Sequence, residues 1–69
     1  MKFDHSKLKG LARQKGETLE TIEKKTGIKS QTMSMKWNGR SHFTDVEIYA
    51  LKVLLDIDDV DEYFFTPKL

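Results

Sequence analysis

TLETIEKKTGIKSQTMSMKWNGR, residues 18–40, is the stretch that decides the fold of this chain. Its first part reads as a short amphipathic helix with Thr18 as N-cap, Glu20 in the positively polarised first turn and Leu19 and Ile22 turned inward. Gly27 stops that helix, because a residue without Cβ adopts the left-handed conformation that closes a helix at no steric cost. Ile28 then plugs the turn, and a second helical pattern runs over about Ser30 to Asn38 with Met33 and Trp37 one turn apart on the inner face. Two short helices so joined cross at a steep angle, which is a helix-turn-helix.

The flanking sequence extends the helical reading in both directions. Upstream, Asp4 is a good N-cap for a helix to about Lys15, with Leu8, Leu11 and Ala12 at i, i+3, i+4 spacing and Gly16 as its stop. Gly10 inside that helix costs about 1 kcal/mol relative to Ala, so the sequence leads one to expect a close backbone approach there. Downstream, Thr44 and Glu47 form a capping box, and Phe43 with Ile48 forms a hydrophobic staple. The helix they start carries Ile48, Leu51, Leu54 and Leu55 inward and ends near Asp56. A last short helix is expected from Asp58 through Phe64, with Pro67 closing it and Asp58 and Asp59 as its caps. No stretch alternates apolar and polar residues over a strand's length, so the expected fold is all-α, one domain over residues 1–69 with about five short helices.

Composition narrows the function classes. At 69 residues and 38% apolar content, a single domain buries only about 60% of its unfolded surface. There is no Cys, which removes disulfides and thiolate metal sites and fits a reducing cytoplasm. No secretory signal is visible and no apolar run approaches the length needed to cross a bilayer, so no membrane partner is expected. The net charge of +1 hides an asymmetry: residues 1–40 hold ten Lys/Arg against four Asp/Glu, and residues 41–69 hold two against seven. The basic part can approach a polyphosphate, and the acidic part would repel one.

The side chains that would meet DNA follow from the second helix of the central stretch, whose polar face can enter a major groove. Gln31 has the carboxamide that reads adenine N7 and N6, Ser30 and Ser34 can bond bases or phosphates, and Met35 can touch a thymine methyl. Lys24, Lys25, Lys29, Lys36 and Arg40 bracket that helix as candidate phosphate clamps, although Lys24 and Lys25 also suit the negative end of their own helix. Trp37, spaced from Met33 as it is, reads as a core anchor rather than a base-stacking platform. His5 and His42 stand apart without a nucleophile, and the run Asp56, Asp58, Asp59, Asp61, Glu62 has Asp61 where a calcium loop needs Gly. The expectation is therefore no enzyme, no metal and no cofactor. Asp59, Glu62, Tyr63, Phe64 and Phe65 form the candidate surface for a partner protein or a second copy, because three consecutive aromatics cannot share one helix face.

The order K-G-x-T-x-x-x-I-x-x-x-T-G-I over residues 15–28, followed by Asn38-Gly39-Arg40 and by F-T-x-x-E-I over residues 43–48, resembles the Cro/cI-type (XRE-like) helix-turn-helix regulators. Within that family it is similar to the short Cro-like and repressor-modulating proteins of temperate phages of Gram-positive bacteria. The resemblance spans about residues 6–57 and implies a lambda-repressor-like DNA-binding fold. By resemblance, Ser30, Gln31, Ser34 and Met35 fall at base-reading positions and Thr32 near the phosphates. The N-termini of the second and third helices, Thr18 among them, would hold the backbone. Two positions depart from the pattern: Glu23 stands where a small Ala is usual, and Lys29 where Ser or Thr caps the recognition helix. A Glu at that crossing is expected to tilt into solvent or to push the helices apart. The resemblance implies a sequence-specific transcription regulator in the bacterial cytoplasm, with double-stranded operator DNA as partner; a homodimer is expected because one small module buries too little surface for strong specificity. The alternative it leaves open is an antirepressor or modulator that uses the same fold to bind a phage repressor protein.

Overall fold

The computed structural model describes residues 2–68. Helix α1 runs over Ser6–Gln14, α2 over Leu19–Thr26, α3 over Ser30–Trp37, α4 over Asp45–Leu55 and α5 over Val60–Phe64. Thr18 caps α2 with a reciprocal pair: its hydroxyl accepts from the Thr21 N–H, and the Thr21 hydroxyl accepts from the Thr18 N–H at 2.8 Å. Gly27, at φ 81°, ends it as expected. The Thr44–Glu47 capping box opens α4, with the Glu47 carboxylate accepting from the Thr44 N–H at 2.8 Å. That helix closes on Asp56 in the left-handed region at φ 54°, a conformation Asp tolerates better than most residues with a Cβ.

Several expected boundaries shift. Asp4 does not occupy the N-cap of α1; His5 does, while the Asp4 carboxylate accepts from the Ser6 N–H at 2.9 Å from one residue further out. Helix α5 starts at Val60 rather than Asp58, because Asp59 is the residue whose carboxylate accepts from the Glu62 N–H. Gly10 is exposed, and a Cβ built on it meets nothing within 4 Å, so no close approach explains it.

Leu8, Ala12, Ile22, Ile28, Met33, Leu51, Leu55, Ile57 and Phe64 form one core, and Leu11, Leu19, Trp37, Phe43, Ile48, Leu54, Val60 and Tyr63 pack around it. Helix α2 lies against both α3 and α4, and α1 lies against α3 and α5. The radius of gyration of 10.8 Å matches the ~11 Å expected of a compact chain this long. The two ends of the chain are joined by an isolated antiparallel bridge between Phe3 and Pro67, with the Asp4 N–H on the Thr66 carbonyl at 2.7 Å. Beside the bridge, His5 is buried, the one buried polar side chain among the described residues. Its Nδ1 donates to the Tyr63 carbonyl at 3.3 Å, and its ring meets Phe43 edge-on. Among the described residues no helix is long and apolar enough to cross a membrane.

Candidate functional site

The exposed face of α3 is set by what the rest of the molecule covers. Met33 is buried and Trp37 leans on the core, which leaves Gln31, Ser34, Met35 and Asn38 along the opposite side at i, i+3, i+4, i+7 spacing. Gln31 is exposed, Ser34 is half-buried, and Met35 keeps 42% of its surface. Thr32, Met35, Lys36 and Ser41 together line a shallow hollow of about 230 Å³ beside this face. Of the four residues expected to read bases, three thus come to one surface.

Ser30 does not join them. Its hydroxyl lies 2.9 Å from Glu23 Oε1 and 3.2 Å from the Leu19 carbonyl, and its N–H donates to the same Glu23 oxygen at 2.9 Å. Glu23 does lie on the solvent side of the crossing, as expected, but its carboxylate is not free there. Its carboxylate bridges the turn and caps α3 from the preceding helix, where the Lys29 side chain makes no cap bond. Glu23 and Lys29 thus belong to one arrangement: the side chain at position 29 makes no cap bond, and the carboxylate at position 23 makes it instead. The Ser30 N–H, then the Ser30 hydroxyl, hold the Glu23 carboxyl below its ordinary value of 4.5, so it is ionised at neutral pH. The N-terminus of α3, where a helix ordinarily attracts an anion, already carries one.

The candidate phosphate contacts divide in the same way. Lys25 is held by Glu17 at 2.9 Å, and Glu17 also accepts from the Thr21 hydroxyl at 2.6 Å. The Thr21 bond, then the Lys25 ammonium, depress the Glu17 carboxyl. Lys36 pairs with Glu47, tying α3 to the start of α4, and only 12% and 18% of the two side chains is exposed. Burial works to raise the Glu47 carboxyl, while Lys36 and the Thr44 N–H outweigh it and leave it below the usual range. Lys24, Lys29 and Arg40 are exposed, and among the described residues none has a carboxylate within 4 Å. Thr18 is exposed with its hydroxyl engaged in the α2 cap, and Thr32 is half-buried.

Lys9 was not expected here. From α1 it donates to Asn38 Oδ1 at 2.8 Å and stands 5.6 Å from the centre of the Trp37 ring, adding a cation at the end of α3. Nothing local in the sequence marks it, since its partners lie two helices along the chain, Asn38 being 29 residues away.

The candidate partner surface at the C-terminal end comes apart. Phe64 is 1% exposed and belongs to the core, and Tyr63 packs around it. Only Phe65 remains partly open at 43%, its ring edge-on to Phe3. Asp59 is spent on the α5 cap, and Glu62 forms an exposed pair with Lys7. Among the described residues no group of three or more His, Asp or Glu side chains is gathered as a metal site would require.

The chain matches the family described as "Protein of unknown function (DUF739)" over residues 1–67, and it belongs to that family. No curated protein matches it.

Proposed function

We propose that this member of a family without an assigned function is a helix-turn-helix transcriptional regulator of lambda-repressor-like fold, which reads double-stranded DNA with α3 in the major groove. The observation that supports the reading is the open face of α3, where Gln31, Ser34 and Met35 lie on one side of the helix, with exposed Lys29 just before it, exposed Arg40 just after it and exposed Lys24 on α2. Polar side chains that reach base edges, flanked by cations that meet phosphates, form the pairing such recognition needs. Ser30 is reassigned in this proposal from base contact to support of the turn, and Lys36 from phosphate clamp to support of α4.

A second reading is favoured by Glu23. A carboxylate fixed at the N-terminus of α3 repels a phosphate at the point where helices of this kind commonly hold one, yet it suits a basic protein surface. The alternative is a modulator whose α2–α3 surface docks on a DNA-binding repressor protein and alters its grip on DNA.

Selection from a pool of random duplexes, followed by titration of the enriched sequence at several salt concentrations, tests the first reading. Gln31→Ala should cost about 1–3 kcal/mol at one base pair, and Arg40→Ala should weaken all sequences alike and lower the salt slope by about one. Failure to enrich any sequence, with no salt-dependent binding, would overturn it. Glu23→Gln is then informative: tighter DNA binding is expected if phosphate approaches that helix end.

A further inference from the structure

The outer side of α4 carries an apolar stripe that the fold leaves open. Val46 is 73% exposed, Tyr49 68% and Val53 61%, while Leu51 and Leu55 on the same helix are fully buried. In heptad terms Val46 and Val53 are a positions, Tyr49 is d and Ala50 is e, with the buried residues on the opposite side. Beside the stripe, Lys25 and Thr26 of α2 together with Tyr49, Ala50, Val53 and Leu54 enclose a hollow of about 390 Å³, with the small Ala50 side chain in its wall. Exposed single apolar residues are ordinary on a small protein; a contiguous stripe with a hollow beside it is not.

We propose that this stripe is the contact between two copies of the chain, paired antiparallel about a two-fold axis through α4. The charges at its edge select both the occupant and the direction. Asp45 and Lys52 are exposed, seven residues apart, and both fall at g positions. When two such helices run antiparallel, g positions face g positions, so Asp45 of each copy meets Lys52 of the other while Val46 of each lies against Tyr49 of the other. A parallel pair would put Asp45 opposite Ala50 and gain no ion pair. A surface whose acid and base exchange under a two-fold rotation is complementary to itself, as an isologous dimer requires. The exposed ion pairs set orientation more than affinity, and the contact is shorter than a standard interface, so the dimer dissociates in the micromolar range or weaker. This assignment moves the self-association surface from the C-terminal aromatics to α4, and it does not depend on whether the chain binds DNA.

Sedimentation equilibrium of the full chain without DNA, from micromolar to millimolar concentration, tests the proposal, with far-UV circular dichroism confirming that each variant is folded. The wild type should show a monomer–dimer equilibrium, and Tyr49→Glu should be monomeric throughout. Asp45→Lys alone and Lys52→Glu alone should each weaken self-association about tenfold or more, since each homodimer then opposes two like-charged pairs. Mixing those two variants should restore a dimer, because every pair across the mixed interface is again opposite in sign. A wild type monomeric at millimolar concentration overturns the proposal. So does a dimer that survives Tyr49→Glu, or one that dissociates with Phe65→Ser instead, or the absence of rescue in the mixture.

Discussion

Glu23 and Gly10 both look out of place in the sequence, and only one of them has a partner. Glu23 accepts two bonds from Ser30 across the α2–α3 turn, which makes it the cap of a helix it does not belong to. Its position was legible from the residue pattern, but its role was not, since a side chain that reaches seven residues onward depends on the angle between two helices. Gly10 has no such account: it sits exposed in the middle of α1 with open space around its missing Cβ. Gly10→Ala should therefore stabilise the protein by about 0.5–1 kcal/mol, by helix propensity and by restricting the unfolded chain. A shift in the urea midpoint at constant slope is the measurement, and a loss of stability would mean that α1 meets something at that position.

At the scale of elements, the helices are joined by ion pairs and caps as well as by the core. The Lys36–Glu47 pair ties α3 to α4, and Glu47 also closes the α4 capping box. Lys36→Ala leaves a largely covered carboxylate without its ammonium partner and should cost about 1–3 kcal/mol, visible as a lower urea midpoint. Any weakening of DNA binding by that variant then reflects a displaced α3 as well as a lost charge, which is why Arg40 is the cleaner probe of phosphate contact. Asp4, Glu17, Glu23 and Glu47 all have carboxyls held below their ordinary values of 3.8 to 4.5. Groups depressed in this way contribute stability above their unfolded pKa, and the contribution is lost as pH falls through the folded one. From these four groups thermal stability should stay level between about pH 7 and pH 5 and decline below about 4.5. Glu23→Gln should fall less steeply between pH 5 and pH 3, because one of the groups that must be protonated is gone. An equal slope in a thermal melt series would remove Glu23 from that account.

For the molecule as a whole, the ends of the chain are brought together by a cluster that has no signature along the sequence. Phe43 and Phe64 meet edge to face at 5.3 Å, His5 meets Phe43 edge to face as well, and the Phe3–Pro67 bridge joins the two ends beside them. Phe64→Ala removes the largest fully buried side chain and should cost about 3–5 kcal/mol. For a domain this small that is a large share of its stability, so the variant should be partly unfolded at room temperature by circular dichroism. A near-native melt would instead place Phe64 at a surface, as the aromatic run first suggested. The charge asymmetry has a consequence at this scale too. The exposed cations Lys24, Lys29 and Arg40 come from the basic first part of the chain, and the acidic second part supplies Glu47 as the partner of Lys36.

Local sequence is enough to place both ends of α2 and the start of α4. Thr18, Gly27, Thr44 and Glu47 act through bonds and dihedrals spanning a few residues, and the Leu8, Ile22, Met33 and Leu51 faces follow from helical period alone. The tertiary structure decided which polar groups are left for a partner. Ser30 is engaged by Glu23, Lys36 is held by Glu47, Lys9 is brought to Trp37 from another helix, and Phe64 becomes core while Phe65 and the α4 stripe stay at the surface. Those outcomes depend on contacts 7 to 58 residues apart along the chain, which helix packing creates and no local pattern encodes.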